Sequence, residues 1–310
     1  MADAALGSSS AGRPGRRGVF DIALYAVLLL LVYITAYPFL MIVFSSISDP
    51  QEVLRNPLLL FPRSVTLVTY KAVIQYDEVV RGFRNSIVYT VAYTCLLLAV
   101  TTTAGYALSR RRFKARRVLL IVFLLPWFFS GGIIPTYIVV KKMGMIDTMW
   151  AFIFPGLVSF FYLIMLRTSM EQIAEELIES AVIDGANDVQ IFVNVVVPLS
   201  KAIIATVALW AAVTQWNNYF GPVLYLTDVK KYPLQVVLRN LIATTQLQEM
   251  AETQAAMMET VEDLKRLRAR MKTESLKAAV IVISALPILI VYPFIQRYFV
   301  KGAMIGAIKG

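Results

Sequence analysis

Residues 178–200 read "IESAVIDGANDVQIFVNVVVPLS", a stretch that is polar and charged in its first half and carries a glycine in mid-course. On either side lie apolar runs, 149–166 and 202–216. Taken alone it would pass for part of a soluble helical protein; its neighbours do not allow that. What those runs are therefore decides the fold.

The chain has 310 residues, 58% of them apolar and 16% charged, with no histidine. That balance lies outside the range of soluble globular domains and describes an integral membrane protein. About 20 apolar residues span a bilayer as a helix, and six runs approach that length: 20–45, 86–108, 118–140, 149–166, 202–216 with a possible extension to Tyr225, and 278–299. Their apolar character is continuous rather than alternating, which argues for helices over barrel strands. The fold class is all-α: a polytopic membrane protein of six helices.

Lys and Arg in short loops set orientation. Arg13, Arg16 and Arg17 precede the first run, and "SRRRFKARR" supplies Arg110, Arg111, Arg112, Lys114, Arg116 and Arg117 between the second and third. Both segments belong in the cytoplasm, so alternation places 171–200 and the 299–310 tail there as well, and 227–277 outside. The outer loop carries nine basic residues, but long loops translocate largely regardless of charge. Residues 1–18, rich in Gly, Ser and Ala, read as a disordered leader ahead of a membrane domain spanning 19–310. The first run is too long for the apolar part of a cleaved signal and is expected to remain as an anchor.

Chemistry of its own is not expected of this chain. Without histidine there is no His-based triad or zinc site, so neither a catalytic residue nor a metal ligand set is predicted. Cys95 lies in an apolar run without a second cysteine and is expected to pack in the core. No Gly-x-x-x-x-Gly-Lys-Ser/Thr phosphate loop occurs, so the chain binds no nucleotide by that means.

Within the opening stretch Ile173, Leu177, Ile178 and Ala181 recur at helical spacing among glutamates, the pattern of an amphipathic helix near the membrane surface. Gly185 suits the helix end, and Asn187 or Asp188 can cap a second short helix. A helix-turn-helix of this kind is either a solvated connector or a docking site for a soluble partner. The pattern Glu179-Ser180-Ala181, three residues, Gly185, nine residues, Val195-Val196-Val197-Pro198 resembles the "EAA" loop of the permease subunits of bacterial ABC importers. Ser180, Val195 and Val197 depart from that signature by small or apolar exchanges. The stretches "GGIIPTYIVVKKMGMIDTMWAFIFPG", "AVTQWNNYFGPVLYL", "KKYPLQVVLR" and "YPFIQRYFVKGAMIGAIKG" are similar to carbohydrate-importer permeases related to the second membrane subunit of the maltose transporter, in the branch handling oligosaccharides or complex saccharides. The resemblance covers residues 20–310.

That resemblance implies a bacterial cytoplasmic membrane protein with both termini inside. It also implies partnership with a second permease, two nucleotide-binding subunits that hold ATP and Mg, and an extracytoplasmic solute-binding protein. Glu179, Ser180, Ala181, Asp184, Gly185 and Pro198 would couple the membrane helices to the ATPase. Gly302, Gly306, Lys309 and Gly310 of the tail would reach into the nucleotide-binding dimer.

Sugars are recognised by aromatic faces and planar amides, so Gln215, Trp216, Asn217, Asn218 and Tyr219, together with Trp127 in "PWFFSGG", are candidates for the substrate pathway. A helix break is expected at "PWFFSGG", and broken helices are tolerated where they line a cavity or are buried by protein. Trp and Tyr at these places could equally form an interfacial belt. In the long outer loop Leu247, Met250, Gln254, Met257, Val261, Leu264, Arg268 and Met271 step by threes and fours, predicting a helix of about 25 residues and about 40 Å. Its role is packing on its own domain or a partner permease, with some contact to the binding protein.

Three other functions are weighed: an importer of a non-sugar solute, an ion-coupled secondary transporter and a membrane scaffold. The second would normally place ionisable residues within the spans, and the six runs hold almost none. The third would not need the coupling signature.

Overall fold

The computed structural model describes residues 14–55, 61, 62, 64–129, 131–255 and 275–293. Hydrocarbon cannot take over a backbone hydrogen bond, so a spanning segment closes its own. Among the described residues the elements are accordingly helical, apart from one isolated bridge between Ser48 and Val65. In chain order the principal helices are α1 (Pro14–Ile47), α2 (Val68–Gln75), α3 (Asp77–Ser109), α4 (Arg116–Phe128), α5 (Ile133–Lys142), α6 (Phe160–Glu171) and α7 (Glu175–Ile183). They continue as α8 (Asp188–Leu199), α9 (Lys201–Trp216), α10 (Phe220–Tyr225), α11 (Leu234–Ala255) and α12 (Ser275–Pro293).

Among the described residues three helices are long and apolar enough to cross a membrane unbroken: α1 from Phe20, α3 and α12. Counting each bent pair as one span gives up to six, the expected number. The third span breaks at the expected place, where α4 ends at Phe128 and α5 starts at Ile133, with Gly132 at φ +83°. The fourth bends by 50° between the turn Trp150–Gly156 and α6, and α8 meets α9 at 80°. The fifth run does not extend smoothly to Tyr225: α9 stops at Trp216 and a separate short helix, α10, follows.

α3 is the hub, packed against α6, α9 and α11. Its inward stripe, Tyr89, Tyr93, Leu97 and Thr101, repeats every four residues and is at most 9% exposed. Around it Phe152, Ile153, Leu166, Met170, Ile191, Val196, Val207 and Ala211 form the main core. A second cluster, Val73, Val79, Trp216, Leu234, Val237, Leu276, Ala279 and Val280, binds α2, α9, α11 and α12 together at the other end of the hub. In lipid, helices associate by close packing more than by escape from water, and small residues permit it. Gly82 is such a residue: a Cβ there would lie 3.2 Å from the backbone of Leu234. Cys95 does not pack inward as expected. It falls two residues beyond Tyr93, about 200° around the helix at 3.6 residues per turn, and is exposed.

α11 begins at Leu234, well before the predicted start at Leu247. Pro233 opens it by accepting the N–H groups of Val236 and Val237, and the buried side chains of Leu234, Val236 and Val237 hold it on the hub. The predicted continuation from 256 to 271 lies outside the described residues.

Candidate functional site

The two regions singled out in the sequence lie at opposite ends of α9. At its N-terminal end, α7 opens with Glu175 and Glu176, acids that favour a helix N-terminus. It closes on Gly185 at φ +83°: Ala186 N–H donates to Ala181 O at 2.9 Å and Gly185 N–H to Val182 O at 3.0 Å, which satisfies the last carbonyls with a residue that takes this conformation at little cost. Asn187 then caps α8. Its Oδ1 accepts Gln190 N–H at 2.9 Å while Gln190 Oε1 accepts Asn187 N–H at 2.8 Å, a reciprocal pair. Residues Phe192–Val196 form a π-helical turn, and Pro198 lies in the last turn before the bend into α9.

This elbow is seated on the core from one side only. Ile173, Ile178, Ala181, Ala186, Phe192 and Val195 pack against the main cluster. Leu177, which shares the apolar spacing of Ile173, Ile178 and Ala181, is turned out and 48% exposed; it joins Val182, Ile183 (85%) and Val189 in an apolar outer edge. Glu179, Ser180, Asp184, Gly185 and Pro198 are exposed and Ala181 is half-buried.

Basic residues of the 110–117 loop reach α8 and the end of α6, contacts not read from the sequence because these partners stand some 55–76 positions apart. Arg112 pairs with Asp188, Arg116 approaches Glu171 at 3.9 Å, and Arg110 donates to Met170 O at 3.2 Å. Arg167 joins Glu171 at 2.9 Å and donates through Nε to Leu108 O at 3.2 Å.

At the other end of α9 the "QWNNYF" cluster divides. Gln215 and Trp216 are buried within the chain. Trp216 donates Nε1–H to Ser284 O at 2.9 Å and meets Phe83 edge-on at 5.7 Å, which ties α9 to α12 and α3. Asn217 and Tyr219 are exposed in the break between α9 and α10. Asn217 Nδ2 returns to Val213 O at 3.0 Å, and Asn218 Oδ1 accepts Gly221 N–H at 3.2 Å, capping α10. Gln235 of α11, missed in the sequence, donates Nε2–H to Asn217 Oδ1 at 3.4 Å.

Trp127 belongs to a different aromatic group. It stacks on Phe161 at 6.3 Å, and Phe161 stacks on Trp210 of α9 at 5.7 Å. The tail residues Gly302, Gly306, Lys309 and Gly310 lie outside the described residues.

A clasp fixes the segment between α10 and α11. Asp147, at φ +61°, accepts the N–H groups of Thr227 at 2.9 Å and Asp228 at 3.0 Å and pairs with Lys231. These bonds, that to Lys231 first, hold its carboxyl well below the usual carboxylate range. The hub completes the fastening: Tyr89 donates to Lys231 O at 2.9 Å, Asn85 to Lys230 O and Tyr232 O, and Leu234 N–H donates to Ser86 Oγ at 2.9 Å.

A family described as binding-protein-dependent transport system inner membrane component matches residues 97–304. Protein LplC of Bacillus subtilis (strain 168) is 40% identical over 94% of this chain and 95% of its own length. The polygalacturonan/rhamnogalacturonan transport system permease protein YtcP of the same organism is 36% identical over 94% and 99%. Among solved structures, a chain of a bacterial ABC transporter involved in the import of the acidic polysaccharide alginate superposes with a TM-score of 0.80 at 28% identity, covering 94% of this chain and 100% of that one.

Proposed function

Because the chain belongs to the family of binding-protein-dependent transport system inner membrane components, we propose that it forms half of the membrane pathway of an ATP-driven importer of an oligosaccharide or larger saccharide. A companion permease supplies the other half. Of two nucleotide-binding subunits, which hold ATP and Mg, one docks on the α7–α8 elbow from the cytoplasm, and a solute-binding protein delivers the sugar from outside. The N-terminus, the 110–117 loop and the C-terminus then lie on the cytoplasmic side.

The observation that carries this reading is the rod joining the two regions. α9 runs 16 residues, about 24 Å at 1.5 Å per residue, from the elbow to the break at 217–219. The elbow offers an apolar edge headed by Ile183 with acidic Glu179 and Asp184 beside it, a surface suited to a cleft with a basic rim. Displacement of the elbow by a closing ATPase pair turns α9 and so moves the exposed amide and phenol at its far end. A solvated connector would have no use for an outward isoleucine.

The test is reconstitution of the complete transporter in liposomes. Saccharide uptake is expected only with the nucleotide-binding subunits and ATP; uptake without them, or abolished by an ionophore alone, would overturn the assignment. Glu179→Lys and Gly185→Trp should leave membrane insertion intact and abolish copurification with the ATPase; at Gly185 a Cβ meets nothing within 4 Å, so the strain of a side chain at φ +83° is confined to the exposed turn.

A further inference from the structure

The break between α9 and α10 opens on a cavity of about 350 Å³ whose polar wall is Tyr219, Gln235 and Arg239, with Leu238 and Ile242 on the apolar side. We propose that this cavity is a subsite for the carboxylate of an acidic sugar residue, held by Arg239. The inference rests on the saccharide-importer reading and specifies the substrate class within it.

Among the described residues no anion pairs with Arg239. Its positions i±3 and i±4 on α11 are Gln235, Val236, Ile242 and Ala243, so no intrahelical ion pair can form. Neither Asp nor Glu occurs in the sequence between Asp228 and Glu249. The four ion pairs among the described residues leave it out, and its side-chain contact is a long one, 3.5 Å to Asn240 Oδ1. A guanidinium stays charged at any physiological pH and presents a planar fork that fits a carboxylate in two parallel bonds.

The neighbours select a sugar rather than a bare anion. Tyr219 is 48% exposed, which leaves ring surface for the C–H face of a pyranose. Gln235 spends Nε2 on Asn217 and keeps Oε1 for a hydroxyl donor. Aromatic face, amide acceptor and fork together match a hexuronate, whose carboxylate projects from the ring edge while its face stacks. The position agrees: the cavity lies where α9 ends at Trp216 and the chain turns into α10, at the far end of the rod from the elbow. Arg239 could instead meet a carboxylate of the docking solute-binding protein, and the experiment separates the two.

The permease pair with its nucleotide-binding subunits, in nanodiscs without the solute-binding protein, is titrated with trigalacturonate and trimannuronate and with the methyl ester of each. At least one acid should bind about tenfold or more tightly than its ester, the worth of a charge-assisted bond. Arg239→Gln should bring that ratio to about one, and Arg239→Lys should keep part of it. A ratio near one for both acids in the parent complex, or a ratio unchanged in Arg239→Gln, overturns the subsite. So does a loss in Arg239→Gln of binding-protein-stimulated ATPase that is equal for neutral and acidic saccharides with the ratio unchanged, for the arginine then serves docking. If acid and ester are imported alike, the subsite falls and the importer reading stands; if no saccharide supports ATP-driven uptake, both fall.

Discussion

The two ends of α9 are built on opposite plans. The turn of the elbow is made locally: Gly185, Asn187 and Gln190 fall within six positions of one another and shape it, with Arg112–Asp188 as an ion pair from outside. The far end is made from a distance. Trp216 is fixed by Ser284, and the segment that leads into α11 is fixed by Asn85, Ser86, Tyr89 and Asp147. On the proposed function the elbow is a docking element, which has to keep its shape while its seat moves, and local bonds travel with it. The far end is then a pathway wall, which changes by sliding one helix against another, and contacts between helices are what sliding alters.

Trp216→Ala should have the largest effect on this contrast. It empties a buried site and removes the bond to Ser284, at a cost of about 3 kcal/mol, the low end for such changes because lipid already shelters part of the surface. A clear fall in thermal unfolding temperature of the purified complex is the expected result, with loosening of α12 in hydrogen exchange. Asn187→Ala should cost about 1 kcal/mol, expressed as faster exchange at Asp188–Ile191 and not at α12. Were the two substitutions to perturb both ends alike, the contrast would be gone.

The smallest effect concerns pH. Asp147 has its carboxyl lowered in the folded chain, so the clasp is at full strength above the unfolded carboxylate value near 4 and weakens only as pH falls through the lower folded one. Thermal stability should therefore carry a constant contribution from Asp147 between pH 5 and 8, so that Asp147→Asn lowers it by the same amount across that range and flattens the acid limb below pH 4. A change with pH near neutrality that disappears in Asp147→Asn would contradict the bonding described for it.

Legibility in the sequence follows the same division. Apolar runs, the break at Gly132, the glycine turn and the asparagine cap were readable because each depends on residues a few positions apart. The outward turn of Leu177 was not readable, because helical spacing states which residues share a face, not which way an edge residue turns when the helix sits on its seat from one side. Cys95 was misplaced for a related reason: a continuously apolar run conceals which of its faces meets protein. Arg239 stands in a segment whose helix was expected to begin later, and its cavity depends on Tyr219, twenty positions away and on another helix. The one signal available was the lack of any acid around it.

α1 has an unusual standing. None of the 18-residue window that qualifies it as a span is buried within the chain. Its attachment lies near its C-terminal end, where Ser46 meets Tyr70 at 2.8 Å. Such a helix owes its place to partition into lipid and can settle there before the rest of the polypeptide exists. During synthesis it would act as a mooring, holding the nascent chain at the bilayer while the hub and its clients assemble behind it.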